Sequence, residues 1–433
     1  MSTVLLSLWV AISIGGADAS ATAASVGTAR AGHAGVDRLS HAARSSVAAL
    51  VAVALRGDIY TVSVSGGSAR QLTNYGLNSA PALSPHESLI AYLSTSKQFT
   101  DKYGNAKTHG VWVMSVDGSG ARKITDTNPK IDRGGLSWSP DGQRLAYYEG
   151  DGVVVSDDRG GHRTVALRTG RPFDGTMFGP LAASPIAWSP DSRRIAVALP
   201  YKGQSLPRVL RVAVVSAGGG GATTATVTFP SGVLGNPTPP GSFPANNALA
   251  WSPDGRRLVV ETLAEGEGPD RITGIWQVAA TGGVASLLVG TAKGVRSADY
   301  PTDSPLNQPT HFAFSPDGRR LATDPEQNAT YDQARFWIAA SNGTGGRFLD
   351  LGLSRRRGCA LAQYAWLNDG VGLAYVTVRG TGANTGKGPL IRATLYTVLL
   401  GAGQPRELLH IDDVKQDLLR LTPAAYRCVA CGY

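Results

Sequence analysis

Large and small apolar residues alternate along this chain in a pattern that keeps returning. Leu136 and Trp138 flank Ser137, Ile186 and Trp188 flank Ala187, Leu249 and Trp251 flank Ala250, Phe312 and Phe314 flank Ala313, and Tyr364 and Trp366 flank Ala365. Side chains of an extended strand point to opposite sides with period two, so each segment is a strand with a bulky face and a small face. A polar turn follows each one, as in Trp138-Ser139-Pro140-Asp141-Gly142, Trp188-Ser189-Pro190-Asp191, Trp251-Ser252-Pro253-Asp254-Gly255, Phe314-Ser315-Pro316-Asp317-Gly318 and, more loosely, Leu83-Ser84-Pro85 and Trp366-Leu367-Asn368-Asp369-Gly370. Pro fixes φ at the turn entry, Asp accepts bonds from backbone N–H groups, and Gly takes φ > 0, which together predict a tight hairpin. The strand after the turn carries the small residue again, at Ala91, Ala146, Ala196, Ala322 and Ala374.

A further apolar strand recurs, beginning at Ile59, Val111, Val153, Leu210, Ile275, Phe336 and Leu395. After most copies come a Gly-containing turn and a short outer strand such as Gln71-Leu72-Thr73 or Lys123-Ile124-Thr125. Four antiparallel strands of this kind make one propeller blade, and a lone blade cannot bury both its faces. The expected fold is therefore an all-β propeller of four-stranded blades, seven in number, with six as the alternative. Residues 51–59 resemble residues 145–153, so the first blade begins at its second strand. Leu419-Arg420-Leu421-Thr422-Pro423 resembles Leu136-Ser137-Trp138-Ser139-Pro140, so a C-terminal strand is expected to complete the N-terminal blade and close the ring. The propeller is placed at residues 47–423, with a tail at 424–433.

These motifs resemble the WD40-like propeller repeat of the TolB family, the periplasmic propellers of the Tol-Pal envelope system, over about residues 47–423. The resemblance implies the propeller fold and an extracytoplasmic setting. TolB members carry an α/β domain ahead of the propeller, where this chain has other material. Similar repeats form the propeller of prolyl-oligopeptidase-like peptidases, which need a hydrolase domain, and the sequence holds no G-x-S-x-G elbow.

Composition sharpens this picture in a few places. The 433 residues include 54 Gly and 25 Pro, which fits many short strands joined by turns. Residues 4–14 are apolar and are followed by Ala17-Asp18-Ala19 and Ala19-Ser20-Ala21, so residues 1–21 read as a signal peptide, although no Lys or Arg precedes them. If that stretch is not a working signal, the protein is cytoplasmic. Residues 22–46 read as a flexible linker, and no later segment is expected to span a bilayer. Of the three cysteines, Cys428 and Cys431 form a single C-x-x-C, read as a local disulfide or two free thiols rather than half a zinc site, with Cys359 left over. The net charge of +9 is attributed to arginines that follow the repeated turn, Arg193-Arg194, Arg256-Arg257 and Arg319-Arg320, as by-products of the repeat. Without a stacking platform of aromatic and basic residues, no nucleic-acid partner is expected.

Blade topology then separates two faces. The Ser-Pro-Asp-Gly turns and the Gly turns share one face and are tight. The remaining connections fall on the other, where segments 95–109, 169–185, 229–247, 290–310, 352–361 and 379–392 are long and carry mixed charge. Long loops gathered on one face mark a binding surface, or else drift in a tolerant scaffold. Residues just before the inner strands, Asn78, Arg133, Asn247, His311 and Gln363, are placed at the mouth of the central channel. The function expected is a monomeric, non-enzymatic binding module for a protein, peptide or glycan, with no cofactor, no metal and no catalytic residue assigned. The alternative is a channel-mouth enzyme such as a metal-dependent lyase, for which His311, His109 and His162 are the available ligands.

Overall fold

The computed structural model describes residues 12–13, 50–55, 57–74, 78–94, 109–127, 136–150, 152–168, 186–199, 209–229, 249–262, 274–292, 295–296, 309–325, 333–354, 359–367, 370–385 and 388–415. These form seven sheets in chain order. Blade 1 comprises β1 (Ile12–Ser13), β2 (Leu50–Leu55), β3 (Asp58–Ser63) and β4 (Arg70–Gln71), and blade 2 comprises β5 (Asn78–Leu83), β6 (Leu89–Ser94), β7 (His109–Ser115) and β8 (Arg122–Thr127). Blade 3 holds β9 (Leu136–Trp138), β10 (Leu145–Glu149), β11 (Gly152–Ser156) and β12 (Thr164–Arg168), and blade 4 holds β13 (Ala187–Trp188), β14 (Arg194–Leu199), β15 (Val209–Ser216) and β16 (Ala222–Thr228). Blade 5 follows with β17 (Leu249–Trp251), β18 (Arg257–Thr262) and β19 (Gly274–Ala279), then β20 (Gly283–Val284), β21 (Ser286–Ala292) and β22 (Val295–Arg296). Blade 6 is β23 (Pro309–Phe314), β24 (Arg320–Pro325), β25 (Gln333–Ala340) and β26 (Arg347–Ser354), and blade 7 is β27 (Cys359–Trp366), β28 (Gly372–Thr385), β29 (Gly388–Leu399) and β30 (Ala402–Lys415). The expected seven-bladed, all-β propeller is the fold.

The core is divided among the seams between blades. Seven apolar clusters form, each shared by two neighbouring blades. The bulky face of one blade meets the small face of the one before it: Trp138 packs with Ala91, Trp188 with Ala146, Trp251 with Ala196, and Trp366 with Ala322. The indole N–H of each of these residues also finds a fixed acceptor. Trp138, Trp188, Trp251 and Trp366 donate from Nε1 to the carbonyls of Ala82, Ser137, Ala187 and Ala313, at 2.9, 3.1, 3.1 and 2.9 Å. Each acceptor is the small inner-strand residue of the preceding blade, the cross-strand partner of Ala91, Ala146, Ala196 or Ala322.

The strand exchange expected to close the ring involves residues 419–423. Residues 419–423 lie outside the described residues, and the inner edge of β2 is taken by β1, with Ile12 opposite Val53 and Ser13 opposite Ala52. An apolar stretch able to extend can fill that edge whichever end of the chain supplies it. Blades 7 and 1 meet through apolar packing, with Val51, Val53 and Val62 against Leu367, Ala374 and Val376. The segment 379–392, expected as a loop, is instead ladder: β28 and β29 stay paired from Gly372–Leu399 to Thr385–Gly388, with β30 alongside as far as Lys415. The alternation of Val376, Val378, Leu390 and Ile391 with polar neighbours carries the ladder past the blade, despite Gly380 and Gly382.

Candidate functional site

The repeated turn defines the closed face. In each of blades 3 to 6 the turn serine (Ser139, Ser189, Ser252, Ser315) donates its hydroxyl to the aspartate two residues on, at 2.5 Å. The same hydroxyl accepts the backbone N–H of Arg144, Arg194, Arg257 or Arg320. The aspartate accepts a second backbone N–H, from Gln143, Arg193, Arg256 or Arg319. The Ser252 hydroxyl and the Arg256 N–H hold Asp254 below the usual carboxylate range against its partial burial. At Asp191 and Asp317 burial pushes upward, but the serine hydroxyl, the backbone N–H and the adjacent arginines outweigh it and the result is again a lowered value. The glycine position has φ near +67° in Gly142 and Gly318, and Ser192 holds the same region at +59°.

Neighbouring turns are bonded to one another. Arg144 donates to the Ser192 carbonyl at 2.5 Å, Arg194 to the Gly255 carbonyl at 2.9 Å and Arg320 to the Gly370 carbonyl at 2.8 Å. Arg144 and Arg194 also sit over the rings of Trp188 and Trp251, at 5.4 and 4.4 Å from the centroids. In two of the three pairs the second arginine, Arg194 or Arg320, is thus an interblade clamp, as is Arg144; the sequence reading had put these arginines down to repeat composition.

The opposite face is uneven. Blades 3, 4 and 5 have short inner strands of 3, 2 and 3 residues, whereas those of blades 2, 6 and 7 run to 6, 6 and 8. Each of the longer inner strands shifts register once on its way out, between Ser79 and Ala82, between Thr310 and Ala313, and between Leu361 and Gln363. Such bulges re-aim side chains at the rims of sheets. Their recurrence in three blades was not read from the sequence; in blades 2 and 6 the bulge ends on a small residue, Ala82 or Ala313, and in blade 7 on Gln363. Blade 7 adds its long β28–β29 hairpin on the same side, since β28 and β30 have 14 residues each.

Of the five residues expected at the channel mouth, Asn78 opens β5 and is buried. Its Nδ2 donates to the Gly57 carbonyl (3.1 Å) and to Thr73 Oγ1 (3.0 Å), tying blade 2 to blade 1, while its buried Oδ1 accepts no bond among the described residues. His311 and Gln363 lie within β23 and β27, at the bulges rather than ahead of the strands. Arg133 and Asn247 lie outside the described residues, as do segments 169–185 and 230–248. His162 is elsewhere, exposed on the closed face with Nδ1 2.9 Å from Asp157 Oδ2. Among the described residues no three His, Cys, Asp or Glu side chains converge in a metal-binding arrangement, and no helix is long and apolar enough to cross a membrane. Cys428 and Cys431 lie outside the described residues.

No family model and no curated protein matches the chain. Solved structures do resemble it. TolB from Acinetobacter baumannii is 13% identical over 69% of this chain and 60% of its own, with a TM-score of 0.39, so the likeness spans less than two thirds of that protein. Oligogalacturonate lyase in complex with manganese is 12% identical over 76% of this chain and 87% of its own, at a TM-score of 0.43. A structure from an analysis of two prolyl endopeptidases is 13% identical over 84% of this chain and 48% of its own, at 0.50. What these proteins share with this chain is the fold, a β-propeller.

Proposed function

We propose that this chain is a non-enzymatic binding and scaffolding propeller, acting as a monomer without a cofactor, that takes a protein, peptide or glycan on its long-loop face. The observation that supports this reading most is the inequality of the two faces. Backbone and side-chain groups of the closed face are spent on turn-to-turn bonds. The inner-strand bulges and the blade 7 hairpin lie on the other side, where the sequence reading also expects the long connections. Asn78, Arg133, Asn247, His311 and Gln363 are the proposed rim of that site. Shortening the hairpin to a two-residue turn after Arg379, together with the 230–247 and 297–308 segments, is expected to abolish capture of partners from envelope or culture-supernatant extracts. Capture of the same partners by both proteins would sink the proposal.

A channel-mouth lyase is the second reading, favoured by His311 at the β23 bulge. It requires His311→Ala to abolish a metal-dependent activity on an acidic polysaccharide. We propose further that the chain is exported and cleaved after Ala19 or Ala21, whereupon residues 419–423 take the edge of β2 that β1 holds. Intact mass of the exported protein reads this directly, and retention of residues 12–13 would overturn it.

A further inference from the structure

The paired arginines of the closed face divide into two classes. Arg194 and Arg320 clamp neighbouring blades, and Arg257 donates to Gln277 Oε1 at 3.0 Å. Their predecessors Arg193, Arg256 and Arg319 are exposed, and among the described residues their guanidinium groups donate to nothing. The turn uses only the backbone N–H at this position, and Gln143 supplies the same bond in blade 3. Ser88 and Val371 occupy the position in blades 2 and 7. The fold therefore does not demand arginine here, yet three successive blades have it.

The surrounding face is polarised in the same sense. The turns of blades 4 to 6 hold Arg193, Arg194, Arg256, Arg257, Arg319, Arg320 and Arg347 against only Asp191, Asp254 and Asp317. The Gly-rich turns between β15 and β16 and between β19 and β21 contain no charged residue at all. The turns of blades 2 and 3 carry Glu87, Asp117, Asp141, Asp157 and Asp158 against Arg122, Arg144, Arg159 and Arg163, so their charges nearly balance. An open recess of about 380 Å³ lies in the basic sector, lined by Asp191, Arg193, Arg194, Ser216, Gly221 and Thr223.

We propose that the closed face of blades 4 to 6 is a second docking surface, taking an acidic polypeptide segment whose carboxylates pair with Arg193, Arg256 and Arg319. Arginine presents a planar fork that matches a carboxylate in bidentate fashion. Stacked sheets lie about 10 Å apart, so equivalent residues of successive blades repeat at roughly that step. A polyproline II segment rises about 3.1 Å per residue with three residues per turn, which sets every third side chain on one side at about 9 Å. An acidic residue at every third position of such a segment matches the arginine spacing. The three turn aspartates interrupt the positive field, which suits separate carboxylates and repels a continuous phosphate backbone.

The test is fluorescence anisotropy with a labelled (Glu-Pro-Pro)4 peptide, a control peptide with its four glutamates clustered at one end, a dT20 oligonucleotide and vesicles of phosphatidylglycerol and phosphatidylcholine. The wild type should bind the periodic peptide in a salt-sensitive manner and more tightly than every other probe. The triple variant R193Q/R256Q/R319Q should lose at least tenfold in affinity while keeping a melting temperature close to that of the wild type, since these exposed side chains make no hydrogen bond among the described residues and act on the turn aspartates only through their charge. No binding by the wild type, equal binding by the triple variant, or tighter arginine-dependent binding of dT20 or of vesicles would each overturn the proposal, the last two in favour of a nucleic acid or a lipid surface.

Discussion

The seam between blades 4 and 5 and the seam between blades 5 and 6 are built on one plan and fastened differently. The 4/5 seam has every bond the repeat can offer: Trp251 to the Ala187 carbonyl, Arg194 to the Gly255 carbonyl, and the Arg194 guanidinium stacked on Trp251. It also has a latch that no other seam shows among the described residues. β20, from the turn of blade 5, pairs in parallel with β16 of blade 4, Val227 opposite Gly283 and Thr228 opposite Val284, and the Ala285 N–H reaches the Thr228 carbonyl at 2.8 Å. At the 5/6 seam the tryptophan is replaced by Phe314, which has no N–H to offer Ala250, and Arg257 turns back onto its own blade. What remains there is apolar packing, rich in aromatic rings: Phe312, Phe314, Trp337 and Phe348. Packing suffices to join two blades, and polar bonds fix how they are joined.

The largest expected effect attacks the latch. A Cβ on Gly282 would stand 2.7 Å from the Thr226 nitrogen and 2.8 Å from its oxygen, at a φ of +95°. Gly282→Val should therefore cost at least about 2 kcal/mol in urea unfolding, with hydrogen exchange rising first in β16 and β20. Wild-type protection in β16 would show that the latch does not hold the seam. Next in size, Arg194→Met removes a charge-assisted bond and a ring contact and should cost about 1–2 kcal/mol, whereas Arg257→Met should stay within about 0.5 kcal/mol of wild type. Equal losses would erase the comparison. Smaller again, Trp251→Phe leaves the Ala187 carbonyl without its donor and should cost about 1 kcal/mol, while Phe314→Trp offers Ala250 a donor and should return a similar amount. A melting temperature that falls in both variants would mean that ring volume, not the indole N–H, decides these positions.

The smallest effect is set by pH and should not discriminate between the seams. Asp191, Asp254 and Asp317 all have lowered folded-state values, so the stability they contribute is present above their unfolded value near 3.8 and is lost as pH falls through the lower folded one. Thermal melts should be flat from pH 7 to 5 and decline below about pH 4. The gap between Arg194→Met and Arg257→Met should hold across the flat range. A decline that begins near pH 6 would point to histidine instead.

How far the sequence could be read follows from the range of each interaction. The Ser-Pro-Asp-Gly turn is complete within six residues, Ser139 to Arg144, and the alternation of Leu136, Ser137 and Trp138 is set by the strand itself, so both were legible. The clamps were not, because Arg194 acts on Gly255, 61 residues away, and nothing local separates it from Arg193, whose guanidinium clamps no neighbouring blade among the described residues. The β20–β16 latch rests on a Thr-Gly-Gly-Val stretch whose composition reads as an ordinary turn. The blade 7 hairpin was hidden for the same reason, since Gly380, Gly382 and Asn384 look like a loop although Arg379 and Arg392 are paired. The proposed rim was legible only as a place. The turn register assigns it a face, but neither Arg133 nor Asn247 is positioned by a local motif.

How the ring closes has a mechanical consequence. Where one blade borrows strands from both ends of a chain, tension between those ends loads a row of ladder hydrogen bonds in shear, and the row must fail together. Among the described residues β2 belongs to blade 1 and β30 to blade 7, and Val53 packs with Val376. As long as β1 holds the edge of β2, a force between these two strands would peel that apolar seam open one contact after another, before the clamped seams are reached; with residues 419–423 on that edge, as proposed for the exported protein, the row of ladder bonds would bear the load instead.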